Sequence, residues 1–389
     1  VKRRVFTGFG RGNVQGLLNS FRWGLDNRID GATSSAGGSV VRVGEDDGKP
    51  LNLRGRDFAF NPRTLEIEAT SGGAQHGMCF DDFGRKFVCS NSDRLQMVMY
   101  EDRDIARNPY FAAPRARISI AADGGQAPVF RISPVEPWRI VRTRLRVAKK
   151  VPGPIEGGGK PAGYFTGSTG VTIYRGDAWP AEHKGTAFIG DVGSNIVHRK
   201  RLEPNGLEFV GTRIDEGREF LASTDIWFRP VQFANGPDGC LYVLDMYREV
   251  IEHPKSLPPM IKKHLDLTSG RDRGRIYRIV PEGYEQRAIP DLAAMPTVDL
   301  ARMLGHANAW HRETAARLLY ERRDAAMTRV FAEAEPYRSF SAVGRLHALH
   351  ALVGFDPNFA VAGRIAYDDE DAGVRAHAVR LAGKAPVVD

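Results

Sequence analysis

Gln75-His76 stands immediately before one short apolar run, and Ser90-Asn91 stands immediately after the next. Asn19, the pair Asp191 and Asn195, and the group Asp225, Arg229, Asp245 and Arg248 hold the same relation to other pairs of apolar runs. Histidine serves as a base near neutral pH. Arginine and asparagine donate hydrogen bonds to anionic oxygens. Aspartates are oxygen ligands for a hard cation. If each pair of runs is a strand that crosses a face and a strand that returns, these side chains converge on one funnel. Each residue also has a plainer use. His76 can be a hydrogen-bonder ahead of a buried strand, Arg229 a brace beside Pro230, and Asp191 and Asp245 ties between loops.

The elements that would position them recur along the chain. NSFRWGLDNRIDGAT begins at Asn19, QHGMCFDDFGRKFVCSN at Gln75 and PVQFANGPDGCLYVLDM at Pro230. Each reads as an apolar strand, a tight polar turn and a second apolar strand. Asn27, Gly84 and Gly239 occupy the same place in the turn, where a positive φ is expected. GTAFIGDVGSN, from Gly185, is a looser copy, and TGVTIYRG and GRIYRIV add strands. Repeated hairpins of this kind predict a mainly β fold, a partial β-propeller of about four blades. It would occupy residues 1–285 with an insertion at about 101–164. The insertion contains the breaker-rich VPGPIEGGGKPAG, read as a loop, and should pack over one face. It also contains RIVRTRLRVAKK, in which charges alternate with Ile140, Val141, Leu145 and Val147, as on an exposed strand.

After Pro290 the pattern turns helical. WHRETAARLL, VGRLHALHAL and GVRAHAVRLA superpose on Arg312, Arg345 and Arg375 and again on Ala315, Ala348 and Ala378. A recurrence of roughly thirty residues predicts a helical repeat over 290–389. Asp299 is expected to cap one helix and Pro357 to break another. His306, His311, His347, His350 and His377 read as surface or packing residues of this array.

Composition narrows the function classes. The chain has 389 residues, 42% hydrophobic and 26% charged, which suits two or three globular domains. Its net charge of +8 reads as a solvated basic surface, because no nucleic-acid module accompanies it. No apolar run is long enough to span a bilayer. The chain opens on Val1-Lys2-Arg3-Arg4 inside a strand-like segment, and the helical array ends without a polar cap. Both features suggest an internal fragment. Cys79, Cys89 and Cys240 match no zinc or redox spacing and are expected as buried free thiols. Without a Cys-x-x-Cys-His there is no c-type haem attachment.

SGGAQHGMCFDDFGRKFVCSN, ARNPYF, SPVEPWRIVRTRLRV, GYFTGSTGVTIYRGDAWP, IGDVGSNIVHRKRLEPNG, FANGPDGCLYVLDMYREVIEHP and HLDLTSGRDRGRIYRIVPEGY together resemble the membrane-bound dehydrogenases of planctomycetes and verrucomicrobia. The resemblance implies a six-bladed quinoprotein sugar dehydrogenase propeller, then HEAT-type repeats and usually a C-terminal cytochrome c domain. It implies pyrroloquinoline quinone (PQQ) held with Ca2+. His76 would take a substrate hydroxyl proton. Gln75, Asn195, Arg229 and Arg248 would hold the cofactor, and Asp191 and Asp245 would give ligands to Ca2+. The substrate would be a sugar or related alcohol or aldehyde. Electrons would pass to haem c in a missing C-terminal part of the parent, and the protein would be exported, periplasmic or membrane-associated. Two departures stand out. Ala74-Gln75-His76 replaces an Arg-Asn-Pro of the soluble glucose dehydrogenases, and about two blades are missing. The rival reading is a non-catalytic propeller with helical repeats that binds glycans or proteins. A scaffold would have those polar side chains tied up in hydrogen bonds between blades. An electron-transfer subunit is a third reading, and the missing haem motif counts against it.

Overall fold

The paired apolar runs fold as antiparallel hairpins, and their turns need left-handed backbone. Asn27, Gly84 and Gly239 have φ of 60°, 68° and 80°. The computed structural model describes residues 2–44, 48–327, 337–355 and 366–383. Among them are five antiparallel sheets. In four the chain steps outward strand by strand. The first runs through Asn19–Trp23, Ile29–Ala32, Asp57–Phe60 and Ile67–Thr70. The second runs through Met78–Phe80, Lys86–Val88, Gln96–Val98 and Arg117–Ser119. The third begins Ser168–Ile173, Ala187–Asp191, Ile196–Asn205, and the fourth Pro230–Asn235, Leu241–Asp245, Arg275–Ile279. A small fifth sheet pairs Phe6–Phe9 with Gly38–Arg42 and Leu51–Asn52.

The first strands of the four larger sheets stand side by side in chain order. Ser168–Ile173 packs between Met78–Phe80 and Pro230–Asn235, and Met78–Phe80 also meets Asn19–Trp23. Gln232 closes the ring by donating to Ser20 Oγ at 3.4 Å. The approach is tight at Gly170, where φ is 58° and a Cβ would lie 2.7 Å from Gln232 Cα. Apolar cores fill the spaces between neighbouring sheets. Phe87, Leu95, Val171 and Ile189 pack between the second and third. Tyr174, Phe188, Phe233 and Leu241 pack between the third and fourth. Each such side chain contributes about 1.5–3 kcal/mol of burial energy. Cys79, Cys89 and Cys240 are free and buried, as expected. Burial pushes the thiols of Cys79 and Cys89 up to about 12.

The basic stretch RIVRTRLRVAKK is not an exposed strand. It lies in the helix Pro137–Val147, which buries Trp138, Arg139, Arg142 and Arg146. Pro137 at the first helical position pre-sets the backbone, and the three arginines fall on one helical face. Apolar–charged alternation suggested a strand, yet the 3–4 spacing of the arginines governs the packing.

The C-terminal part forms the helices Thr297–Arg302, Ala309–Arg322, Ala342–Phe355 and Ala372–Ala382. The recurring arginines share a task. Arg312 donates to the carbonyls of His306 and Ala307, Arg345 to Phe340, and Arg375 to Asp369 and Glu370. Each guanidinium thus satisfies carbonyls of the loop that enters its own helix. Ala315, Ala348 and Ala378 are fully buried, which permits close helix packing. Asp299 is not a cap. It sits within the first turn after Pro296 and pairs with Arg302 at 2.7 Å. Asn308, Ser341 and Asp371 accept first-turn N–H groups and cap helices in this part. Pro357 lies outside the described residues. His311, His347, His350 and His377 are buried, and His306 is half-buried.

The helices dock on the hairpin-turn end of the ring. Asn308 Nδ2 donates to Gly236 O at 2.9 Å, and His377 Nε2 contacts Phe83 O at 3.0 Å. Asp82 in the same turn binds Arg175 and Arg312. Residues that precede the first strands therefore gather at the opposite end, away from the helices. Among the described residues no helix is long and apolar enough to cross a membrane.

Arg345 makes two 2.8 Å bonds to buried Asp369. We expect Arg345→Met to strand that carboxylate and lose roughly 3 kcal/mol of stability. Arg302→Ala, at an exposed pair, should change stability by under about 1 kcal/mol. Urea unfolding of both variants checks the contrast.

Candidate functional site

At the end of the ring away from the helices, the four sheets enclose a cavity of about 740 Å3. Asn19 and Ser20 reach it from the first sheet and Gln75, His76 and Asn91 from the second. Thr166 and Gly167 reach it from the third, and Gln232 and Arg248 from the fourth. The funnel expected from strand direction is thus present. The helix Pro137–Val147 lies along it and adds Arg139, Arg142 and Arg146.

His76 is held by its backbone. Its N–H donates to Cys89 O at 3.0 Å, and its carbonyl accepts from Gly170 N at 2.8 Å. Among the described residues no protein group hydrogen-bonds its ring. Burial pushes the imidazole down to about 4, so it is neutral at neutral pH and free to accept a hydrogen bond. The lining carries four guanidiniums, Arg139, Arg142, Arg146 and Arg248, against two carboxylates, Glu156 and Glu252. Glu252 pairs with Arg142 at 2.9 Å. Burial raises the Glu252 carboxyl, but the charges of Arg139 and Arg142 outweigh it and hold the group below its usual range. The buried Nε atoms of Arg142 and Arg146 have no hydrogen-bond partner. A cavity with this excess of positive charge and unused donors favours an anionic or strongly hydrogen-bonding guest.

Of the residues singled out from sequence, Asn19, Gln75, His76, Asn91 and Arg248 line this cavity. Arg248 also donates to the carbonyls of Met246 and Tyr247. Asp191, Asn195, Arg229 and Asp245 are buried outside its lining, and Ser90 and Asp225 also lie off it. Arg229, expected to hold a ligand, donates instead to the carbonyls of Val192, Arg248 and Glu249 and to the Glu136 carboxylate. Asn195, expected beside it, sits at φ 59°, accepts from Ser133 Oγ at 2.7 Å and donates to Ile226 O and Phe228 O. Asp191 Oδ2 accepts the N–H groups of Thr166 and Gly167, and burial raises its carboxyl. Asp245 Oδ1 accepts those of Arg229 and Tyr247.

The two aspartates repeat one device. Each closes the end of a second strand onto the chain entering the first strand of its sheet. They stand on different sheets and form no common ligand set. Among the described residues no group of three or more His, Cys, Asp or Glu could hold a metal ion. A Ca2+-held quinone therefore does not fit the residues first assigned to it. Arg139, Arg142, Arg146 and Glu252 were not singled out from sequence. Their signal was Glu136-Pro137 as a helix start followed by arginines three and four apart.

A family model described as a domain of unknown function (DUF7133) matches residues 1–283. No curated protein matches the chain. One solved structure that it resembles is a crystal structure of a glucose dehydrogenase, 16% identical with a TM-score of 0.29, covering 59% of this chain and 80% of that one. Another glucose dehydrogenase is 18% identical with a TM-score of 0.27, over 59% of this chain and 78% of that one.

Two expectations follow from the site. Arg229→Met should cost roughly 3–5 kcal/mol, because it leaves Glu136 buried without that partner. His76→Asn should leave stability at neutral pH nearly unchanged, and denaturant titration checks both. The second expectation concerns pH. His76 has a folded pKa of about 4 against an ordinary 6.5, so between these values the unfolded chain binds a proton that the folded chain does not. Stability should then fall as pH drops through that window. His198 is lowered in the same way and adds to the slope. His76→Asn should make the slope of unfolding free energy against pH shallower, and an unchanged slope would place the imidazole in solvent.

Proposed function

The chain belongs to the DUF7133 family, and we propose that it takes a sugar or a related alcohol or aldehyde into the cavity around His76 as a dehydrogenase-like β-propeller protein. The observation that carries this reading is the neutral His76 ring, without a protein partner, opening into a polar cavity with excess positive charge. The propeller assignment draws support from the ring of four first strands. The reading of residues 290–389 as HEAT-like helices draws support from the repeated arginine ties and buried alanines.

The chemistry that these residues can carry is limited and specific. Gln75, Asn91, Asn19 and Gln232 present amides suited to sugar hydroxyls. The arginines anchor any carboxylate or other anionic group. His76 is placed to accept the proton of a hydroxyl, and oxidation of that carbon to a carbonyl would also pass a hydride to an acceptor. Oxidation also requires a two-electron acceptor. The resemblance implies PQQ with Ca2+, but Arg229 and Asn195 are taken up by structural bonds and no ligand set for Ca2+ is formed. Substrate binding and proton transfer are the parts of the reaction that this chain's residues support. Passage of electrons to a haem domain of a longer parent, and an exported setting, rest on the resemblance.

A second reading is favoured by a specific observation. Arg229, Asn195, Asp191 and Asp245 all bind neighbouring strands and loops, as they would in a propeller that binds a glycan without turning it over.

Calorimetric titration of the protein with glucose and with gluconate, followed by dye-reduction assays with PQQ and Ca2+ supplied, separates the readings. Under the dehydrogenase reading, sugar binding is accompanied by turnover that His76→Ala lowers by at least about a hundredfold. Sugar binding without dye reduction selects the binding reading. No binding of either sugar by the folded protein overturns both.

A further inference from the structure

A second cavity, of about 420 Å3, lies between the sheets and the C-terminal helices, at the end of the ring opposite His76. Its sheet side carries Asp30, only 9% exposed, whose carboxylate has no hydrogen bond or ion pair in contact among the described residues. Of the arginines and the lysine on the lining, all but Arg380 are paired with carboxylates among the described residues. Arg28 pairs with Asp26 at 2.7 Å, Arg85 with Asp81 at 2.6 Å and Lys86 with Asp57 at 2.9 Å. Burial pushes the Asp30 carboxyl up to about 7, and the Lys86 charge offsets this only in part. A buried carboxylate left in this state is costly and gains strongly from a counter-ion.

The helix side carries His347, 1% exposed, with neither ring nitrogen hydrogen-bonded. Burial, and then the charges of Arg312 and Arg175, hold its pKa well below the ordinary value, so the ring is neutral and offers an acceptor. The lining also carries the apolar Trp23, Met97, Val98 and Leu381 among further acidic and basic side chains. Among the described residues no three-ligand metal cluster forms, which directs the inference to an organic cation.

We propose that this cleft is a second ligand site that takes a small organic amine as its ammonium ion, with Asp30 as counter-ion and His347 as hydrogen-bond acceptor. The amine's apolar body lies against Trp23 and Met97. Because the cleft is walled by both sheets and helices, an occupant ties the helices to the ring and stabilises the folded state by linkage.

The probe is 2-phenylethylamine, with 2-phenylethanol as its neutral counterpart and phenylacetate as the anion. Calorimetry and thermal unfolding of the full chain at about pH 8.5 keep Asp30 ionised and the amine protonated. The amine is expected to bind saturably and raise Tm. The alcohol should bind at least roughly tenfold more weakly, and phenylacetate should not bind. Asp30→Asn should lose the amine by a similar factor, while His76→Ala keeps it. If Asp30→Asn fails to fold, the ring signals of His347 in the unaltered protein carry the test, shifting with the amine and not with the alcohol. Equal binding of amine and alcohol, no binding of the amine, or full binding by a folded Asp30→Asn would overturn the proposal.

Discussion

One buried guanidinium ties together three separate parts of this chain. Arg229 is fully buried, and its donors reach the loop after the third sheet's second strand, the loop after the fourth sheet's second strand, and Glu136 at the start of the basic helix. Burial lowers its pKa to about 10, partly offset by Glu136, and this still leaves it charged at neutral pH. A charge so desolvated is tolerable only when nearly every donor is satisfied. The surrounding loops are therefore constrained to present their carbonyls to it. Among them are the loops that bear Arg248 and Gly193, both on the cavity wall.

That constraint separates the polar residues into two sets. Arg229, Asn195, Asp191 and Asp245 build the frame, and each is consumed by backbone groups of neighbouring segments. Gln75, His76, Asn91 and the helix arginines face the space that the frame leaves open. Residues of the same chemical type thus do opposite jobs. Asn195 is locked with φ 59° behind the wall, while Asn91 lines the cavity. Glu136 and Glu252 partly compensate the arginines of the basic helix, yet the lining remains positive in balance.

The two ends of the strand ring are chemically different, and the helical part makes them so. Arg175 and Arg312 converge on Asp82, a hairpin-turn residue, and their charges hold its carboxyl far below the usual range against the opposing effect of burial. This anchors the helices over the turns of the second and fourth sheets. One cavity consequently opens among loops and the other is enclosed between sheet and helix. The first is rich in arginine and amide. The second pairs an unmatched carboxyl with an unmatched imidazole.

The sequence by itself determined the local elements. The recurring apolar pairs and the turn residues Asn27, Gly84 and Gly239 set the hairpins, because a left-handed turn position and alternating burial are properties of a few consecutive residues. The Arg–Ala recurrence set the helices for the same reason. Strand direction also sufficed to place Gln75, His76 and Arg248 at one end. Tertiary structure alone decided which polar groups remain available. Whether Arg229 or Arg142 faces the cavity depends on partners that stand from 19 to 110 positions away in the chain, which no local spacing encodes. Likewise, Asp30 and His347 share a cleft only because the helices dock on the turns, bringing together residues more than three hundred positions apart.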